Sequence, residues 1–133
     1  PSLSEILANS APPPWTLSSF MAHLSQNHCL ENLEFTLDAS WYKKHYFKMM
    51  NRISGEPANP PSDERAYVLM LWRRLIALYV QPNGAREINL PSDTRDALVD
   101  LSASEILPYP SVLDSAVTTV HKLMEESILP SFL

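Results

Sequence analysis

Prolines divide this chain more firmly than any other feature. They stand at positions 1, 12–14, 57, 60–61, 82, 91, 108, 110 and 130, and the only two glycines, Gly55 and Gly84, fall in the same gaps. Both residue types are disfavoured inside helices: proline lacks an N–H and clashes with the preceding turn, and glycine costs backbone entropy. Long stretches without either, separated by proline-marked gaps, predict helices joined by short loops.

Each stretch carries its own helix signals. Ser2 and Glu5 have capping-box spacing ahead of Leu3, Ile6 and Leu7. Thr16 is a candidate cap for a helix with Leu17, Phe20, Met21 and Leu24 on one face. From about Leu30 to Ile53, Leu30, Leu33, Leu37 and Trp41 form an apolar stripe, with Tyr42, Tyr46 and Met49 beside it. Ser62-Asp63-Glu64 suits the start of the strongest helix, and Ser92-Asp93 repeats that pattern before Leu98, Val99 and Leu101. Ser111 is expected to start the last long helix, with Leu113, Ala116, Val117, Val120 and Met124 on one face. Only Arg86 to Leu90 looks strand-like, and its flanking loops make it a connector. The fold class read from these patterns is all-α, a bundle of six or more helices.

Composition narrows the function. At 133 residues and 45% hydrophobic content the chain makes one domain able to bury roughly two-thirds of its unfolded surface. Ten basic against fifteen acidic residues give a net charge of −5, which argues against a nucleic-acid or anionic-membrane footprint. The apolar run Ala66 to Val80 is shorter than the ~20 residues a bilayer needs, and Arg73-Arg74 interrupts it. A single cysteine forms no internal disulfide and fits a reducing compartment. With no initiating Met, signal peptide or lipidation motif, the chain reads as a fragment of something longer.

Catalytic signatures are missing. Two glycines cannot build a phosphate loop, and His23, His28, His45 and His121 show no zinc-ligand spacing. His28-Cys29 suggests a thiol–imidazole pair, but sequence neighbours at a helix start diverge and no third group orients them. Trp15, Phe35, Trp41, Phe47 and Trp72 stand at helical spacings and are expected in the core. Arg73 and Arg74 are expected to snorkel at the bundle edge or pair with an acid.

Three short motifs stand out: Asn27-His28-Cys29-Leu30-Glu31-Asn32-Leu33-Glu34-Phe35; Arg86-Glu87-Ile88-Asn89-Leu90-Pro91-Ser92, followed by Thr94-Arg95; and Leu123-Met124-Glu125-Glu126-Ser127, followed by Pro130-Ser131-Phe132-Leu133. In this order, within an all-helical frame, they resemble the regulator of G-protein signalling (RGS) domain family across nearly the whole chain. The long interval between the first two motifs, with a proline-rich loop insertion near 54–61, is closer to fungal members.

The resemblance implies a four-helix bundle at about 30–126 and a terminal subdomain from about 1–29 and 127–133. The latter is expected to lose part of its last helices at the C-terminus, exposing apolar surface near Leu3, Ile6 and Phe20. It implies a partner, a heterotrimeric G-protein α subunit (Gα), whose GTP hydrolysis the domain accelerates without being an enzyme itself. No metal or organic cofactor then belongs to this chain, because GTP and magnesium belong to the partner. The implied location is cytoplasmic, at the inner face of the plasma membrane through the partner or flanking segments.

Carried over residue by residue, the implied contacts are Asn89, Glu87, Glu31, Asn32 and Cys29, with Leu123, Ser127 and Ser131 as a third patch. Each has a plainer reading: a loop Asn bonding its own backbone, a solvated acid, or first-turn residues that suit the helix dipole. His28 and Cys29 replace small polar or aromatic residues of the family. Pro91 stands where an acid is common, and Ser127 and Ser131 stand where many members carry an acid–arginine pair. Glu126 is one position from the missing acid, about 100° around a regular helix from Ser127. These departures favour the alternative, an RGS-fold interaction or scaffold module without GTPase-activating effect.

Overall fold

The computed structural model describes residues 1–55 and 62–133, and every regular element among them is helical. They are α1 (Leu3–Leu7), α2 (Leu17–Gln26), α3 (Leu30–Gly55), α4 (Ser62–Leu75), α5 (Ser92–Ser102), α6 (Asp114–Leu123) and α7 (Leu129–Phe132). Two π-helical turns extend α4 through Ile76–Val80 and bridge α6 to α7 through Met124–Ile128. The predicted loop insertion lies, at residues 56–61, outside the described residues.

The capping expectations hold at the N-terminal end. Glu5 N–H donates to Ser2 Oγ at 3.1 Å while Glu5 Oε1 accepts from Ser2 N–H at 3.3 Å, completing the capping box. Thr16 Oγ1 accepts from Ser19 N–H at 3.2 Å. Further along, two expectations fail. Pro91 occupies the N-cap of α5, so Ser92 already has helical geometry and makes no cap, while Asp93 bonds only Thr94 N–H. Ser111 lies in a 3₁₀ turn, Pro110–Leu113, and α6 starts only at Asp114.

The helix α3 is the spine, packed against α4 on one side and α6 on the other, while α5 packs on the π-helical end of α4. Its buried face is Asn32, Leu33, Phe35, Ala39, Tyr42 and Met49. The expected stripe fails in its second half: Leu37 is 40% and Trp41 44% exposed. They line a groove of about 450 Å³ with Tyr67, Met70 and Arg74 of α4 instead of entering the core. Trp72 and Phe35 are fully buried as expected, Trp15 and Phe47 half-buried. Arg73 and Arg74 are exposed, Arg74 at this groove.

At the core's centre Trp72 packs on Tyr42, ring centroids 5.6 Å apart, and the Tyr42 hydroxyl donates to Pro108 O at 2.7 Å. Burial pushes the Tyr42 phenol well above its usual range. The Tyr79 hydroxyl similarly donates to Asp38 Oδ2 at 2.6 Å, joining the end of α4 to α3.

The chain ends close the other side. Phe132 meets Phe20 edge-on at 5.1 Å, and Leu3, Ile6 and Phe20 are completely buried. The apolar surface expected to be bare there is covered: α1 packs on α2, and α7 folds back onto α2 through Phe132 and Ser131. A proline inside a continuous helical run accounts for the π turn before α7. In a regular helix the Pro130 ring would press on the Glu126 carbonyl; widening the turn relieves it, and Leu129 N–H reaches back five residues to Met124 O.

One histidine gives the fold a pH dependence. His45 lies on Trp41 at 4.4 Å and edge-on to Tyr67 at 5.3 Å, and its Nε2 is buried without a partner among the described residues. Burial first, then Lys48 and Lys44, hold its pKa below the usual histidine value, with Glu64 opposing. Folding therefore favours neutral His45. Its contribution is fully present above the unfolded pKa near 6.5 and is lost as pH falls through that value toward the folded one. Urea midpoints at pH 7.5 and 5.5 are expected to fall more for the wild type than for His45→Phe.

Candidate functional site

The connector between α4 and α5 is built by its neighbours. Arg86 N–H donates to Leu78 O at 3.0 Å and Ile88 N–H to Tyr79 O at 2.9 Å, so it is tied to the π-helical end of α4. Ile88 is buried in the core, which turns the adjacent Asn89 outward. Gly84 makes the close approach possible: a Cβ there would lie 2.7 Å from Ala77 O and 2.8 Å from Leu78 O. Both are backbone atoms and cannot swing aside. Gly84→Ala is expected to cost about 1–3 kcal/mol in chemical denaturation and to displace the connector.

The Asn89 side chain makes no hydrogen bond to any described residue. The plain reading of a loop asparagine bonding its own backbone is therefore not what this one does. Glu87 differs: its Oε1 accepts from Asn83 N–H at 3.1 Å, closing the turn in which Asn83 has φ 64°.

The first motif is set by how α2 ends. Cys29 N–H donates to Leu24 O and His28 N–H to Ser25 O, a Schellman closure with His28 in the left-handed region at φ 56°. This turn delivers Cys29, Glu31 and Asn32 at the start of α3. Burial, and then Glu31, push the Cys29 thiol up, the opposite of an activated nucleophile. Glu31 is half-buried. Asn32 is only 2% exposed; its Nδ2 donates to Cys29 O at 3.2 Å, and its Oδ1 has no partner among the described residues. Glu34, one turn on, accepts from Arg86 and ties this segment to the connector.

The third motif meets the second across a groove of about 460 Å³. Asn89, Leu90 and Pro91 line one side, and Thr119, Lys122, Leu123 and Glu126 the other. The last four stand at i, i+3, i+4 and i+7, one stripe of α6 and its π-helical extension. Asn89 and Leu123 are thus brought together. Ser127 is exposed outside the groove. Ser131 is engaged elsewhere: its hydroxyl donates to Ile128 O at 2.9 Å and lies 2.9 Å from His23 Nε2, which ties α7 to α2. Thr119, Lys122 and Glu126 also line the groove, and helical spacing from Leu123 is the sequence signal that places them there.

Among the described residues no group of three or more His, Cys, Asp or Glu side chains could hold a metal ion, and no helix is long and apolar enough to cross a membrane.

The site is thus a backbone-pinned asparagine connector facing the last long helix of an all-helical bundle. Residues 2–133 match the family model described as the regulator of G protein signaling domain, and the chain belongs to that family. It is similar to Regulator of G-protein signaling 13 of Homo sapiens, 30% identical over 114 residues, which is 86% of this chain and 59% of that protein. The Mus musculus protein of the same name is 32% identical over 114 residues, 86% of this chain and 60% of its own length. The chain spans about 59–60% of the length of these relatives.

Proposed function

We propose that this domain binds a Gα subunit at its switch segments and accelerates GTP hydrolysis there, so ending the signal. The observation that carries the reading is Asn89: an exposed amide without a hydrogen-bond partner among the described residues, on a connector held by two backbone bonds, beside Leu123 in one groove. An amide donates and accepts at once, so it can hold a glutamine side chain without adding charge. Gα already supplies its arginine in cis and the glutamine that orients water, and the partner carries GTP and magnesium. What remains for the domain is to prefer the transition-state arrangement of the switches; each tenfold acceleration requires about 1.4 kcal/mol of preferential binding. The domain then works in the cytoplasm, where Gα meets the inner membrane face. Cys29 and Glu31 would extend the contact on one side of the connector and Leu123 on the other, with Glu87 shaping the turn between, while buried Asn32 supports the start of α3 through Cys29 O.

The second reading, a scaffold of the same fold without activating effect, draws on two observations. Ser127 and Ser131 carry no charge, and Ser131 is bonded to His23 and Ile128. Single-turnover hydrolysis by a panel of GTP-loaded Gα subunits separates the two. The activator speeds the turnover of at least one; a scaffold leaves every rate unchanged.

A further inference from the structure

Around the Asn89–Leu123 groove the polar chemistry is unevenly assigned. Leu90, Pro91 and Leu123 supply its apolar lining. Thr119 gives its hydroxyl proton to Ser115 O at 2.9 Å, so it offers the groove only acceptor lone pairs. Lys122 offers donors only and Glu126 acceptors only, and both are exposed. They stand four residues apart, yet neither has an ion-pair or hydrogen-bond partner among the described residues. Glu125, the neighbouring acid, is 4.0 Å from His121 Nδ1 and does not line the groove. The charged equipment of this face is therefore Lys122 and Glu126, and it is continuous with Asn89.

We propose that Glu126 and Lys122 form the charged third contact with the Gα switch segment, in place of the neutral Ser127 and Ser131. This rests on the Gα reading above and adds which residues set partner choice. Glu126 accepts from a hydroxyl or backbone N–H of the bound segment. Lys122 takes a carbonyl or carboxylate of the same segment, and small apolar side chains sit on Leu90, Pro91 and Leu123. A partner with an acid facing Glu126, or a cation facing Lys122, is rejected by like-charge repulsion.

The experiment measures affinity of the domain for Gα loaded with GDP, aluminium fluoride and magnesium, at 50 and 300 mM salt. The variants are Glu126→Gln, Lys122→Gln, Glu125→Gln and Asn89→Ala. Glu126→Gln is expected to weaken binding about tenfold at both salt concentrations, because a desolvated charge-assisted bond is little screened by salt. Lys122→Gln changes affinity in the same direction by a smaller factor. Glu125→Gln binds as wild type, and melting temperatures of all four stay near that of wild type because the residues are exposed. Wild-type affinity in Glu126→Gln beside a weakened Asn89→Ala overturns this assignment while the Gα reading stands. No binding of the wild-type domain to any Gα overturns both.

Discussion

Replacing Asn89 with alanine is expected to leave the domain folded and to remove most of its effect on Gα. The side chain is exposed and bonds nothing among the described residues, so stability should change by no more than about 0.5 kcal/mol. The backbone that carries it is fixed independently by the Arg86–Leu78 and Ile88–Tyr79 bonds and by buried Ile88. On the proposed reading, what disappears is one amide able to donate and accept at the partner's glutamine. A desolvated hydrogen bond to a charged or strongly polarised group is worth about 1.5–3 kcal/mol, or roughly 10- to 150-fold in rate or affinity. Asn89→Asp should be similarly poor, since it keeps the acceptors, loses the donor and introduces charge. Thermal melts beside single-turnover rates make the separation: an unchanged melt with a collapsed rate is the expected result.

Trp72→Ala should have the opposite profile, with stability lost first. Trp72 is fully buried and packs on Tyr42 where α3 meets α4. Emptying that site costs about 3–5 kcal/mol, a large part of the 5–15 kcal/mol that holds a domain together. The indole Nε1 is buried without a partner among the described residues, so Trp72→Phe removes an unsatisfied donor along with part of the ring. Phenylalanine is therefore expected to cost under about 1.5 kcal/mol, and urea unfolding should rank wild type and Phe close together and Ala far below.

How much could be read in advance differs between elements for physical reasons. Proline punctuation located the helices because it acts on the backbone locally. Capping at Ser2 and Thr16 was legible for the same reason, whereas at Ser92 the preceding proline took the cap position. In α3 two neighbouring stripes are both apolar, one running through Leu37 and Trp41, the other through Phe35, Ala39 and Tyr42. Helical periodicity scores them alike, and only packing against α4 and α6 decides which is buried. Burial of Leu3, Ile6 and Phe20, the last against Phe132, depends on how the two chain ends meet, which no local pattern encodes.

The candidate site divides in the same way. The three motifs and their order were visible, as was the connector that presents Asn89. Burial of Asn32, the turn-closing bond of Glu87 and the tie from Ser131 to His23 are tertiary facts. The angle between Glu126 and Ser127 follows from helical spacing alone, whereas the place of Glu126 beside Asn89 depends on how the connector lies against α6.

State-selective binding tests the central claim most directly. The domain would be titrated against one Gα subunit held in three forms: with GDP; with GDP, aluminium fluoride and magnesium; and with a non-hydrolysable GTP analogue. A domain that recognises the hydrolysis transition state binds the aluminium fluoride form at least tenfold more tightly than either other form, and Asn89→Ala erases that preference. Equal affinity for all three forms, unchanged by Asn89→Ala, would contradict it and leave an RGS fold that holds Gα without acting on its chemistry.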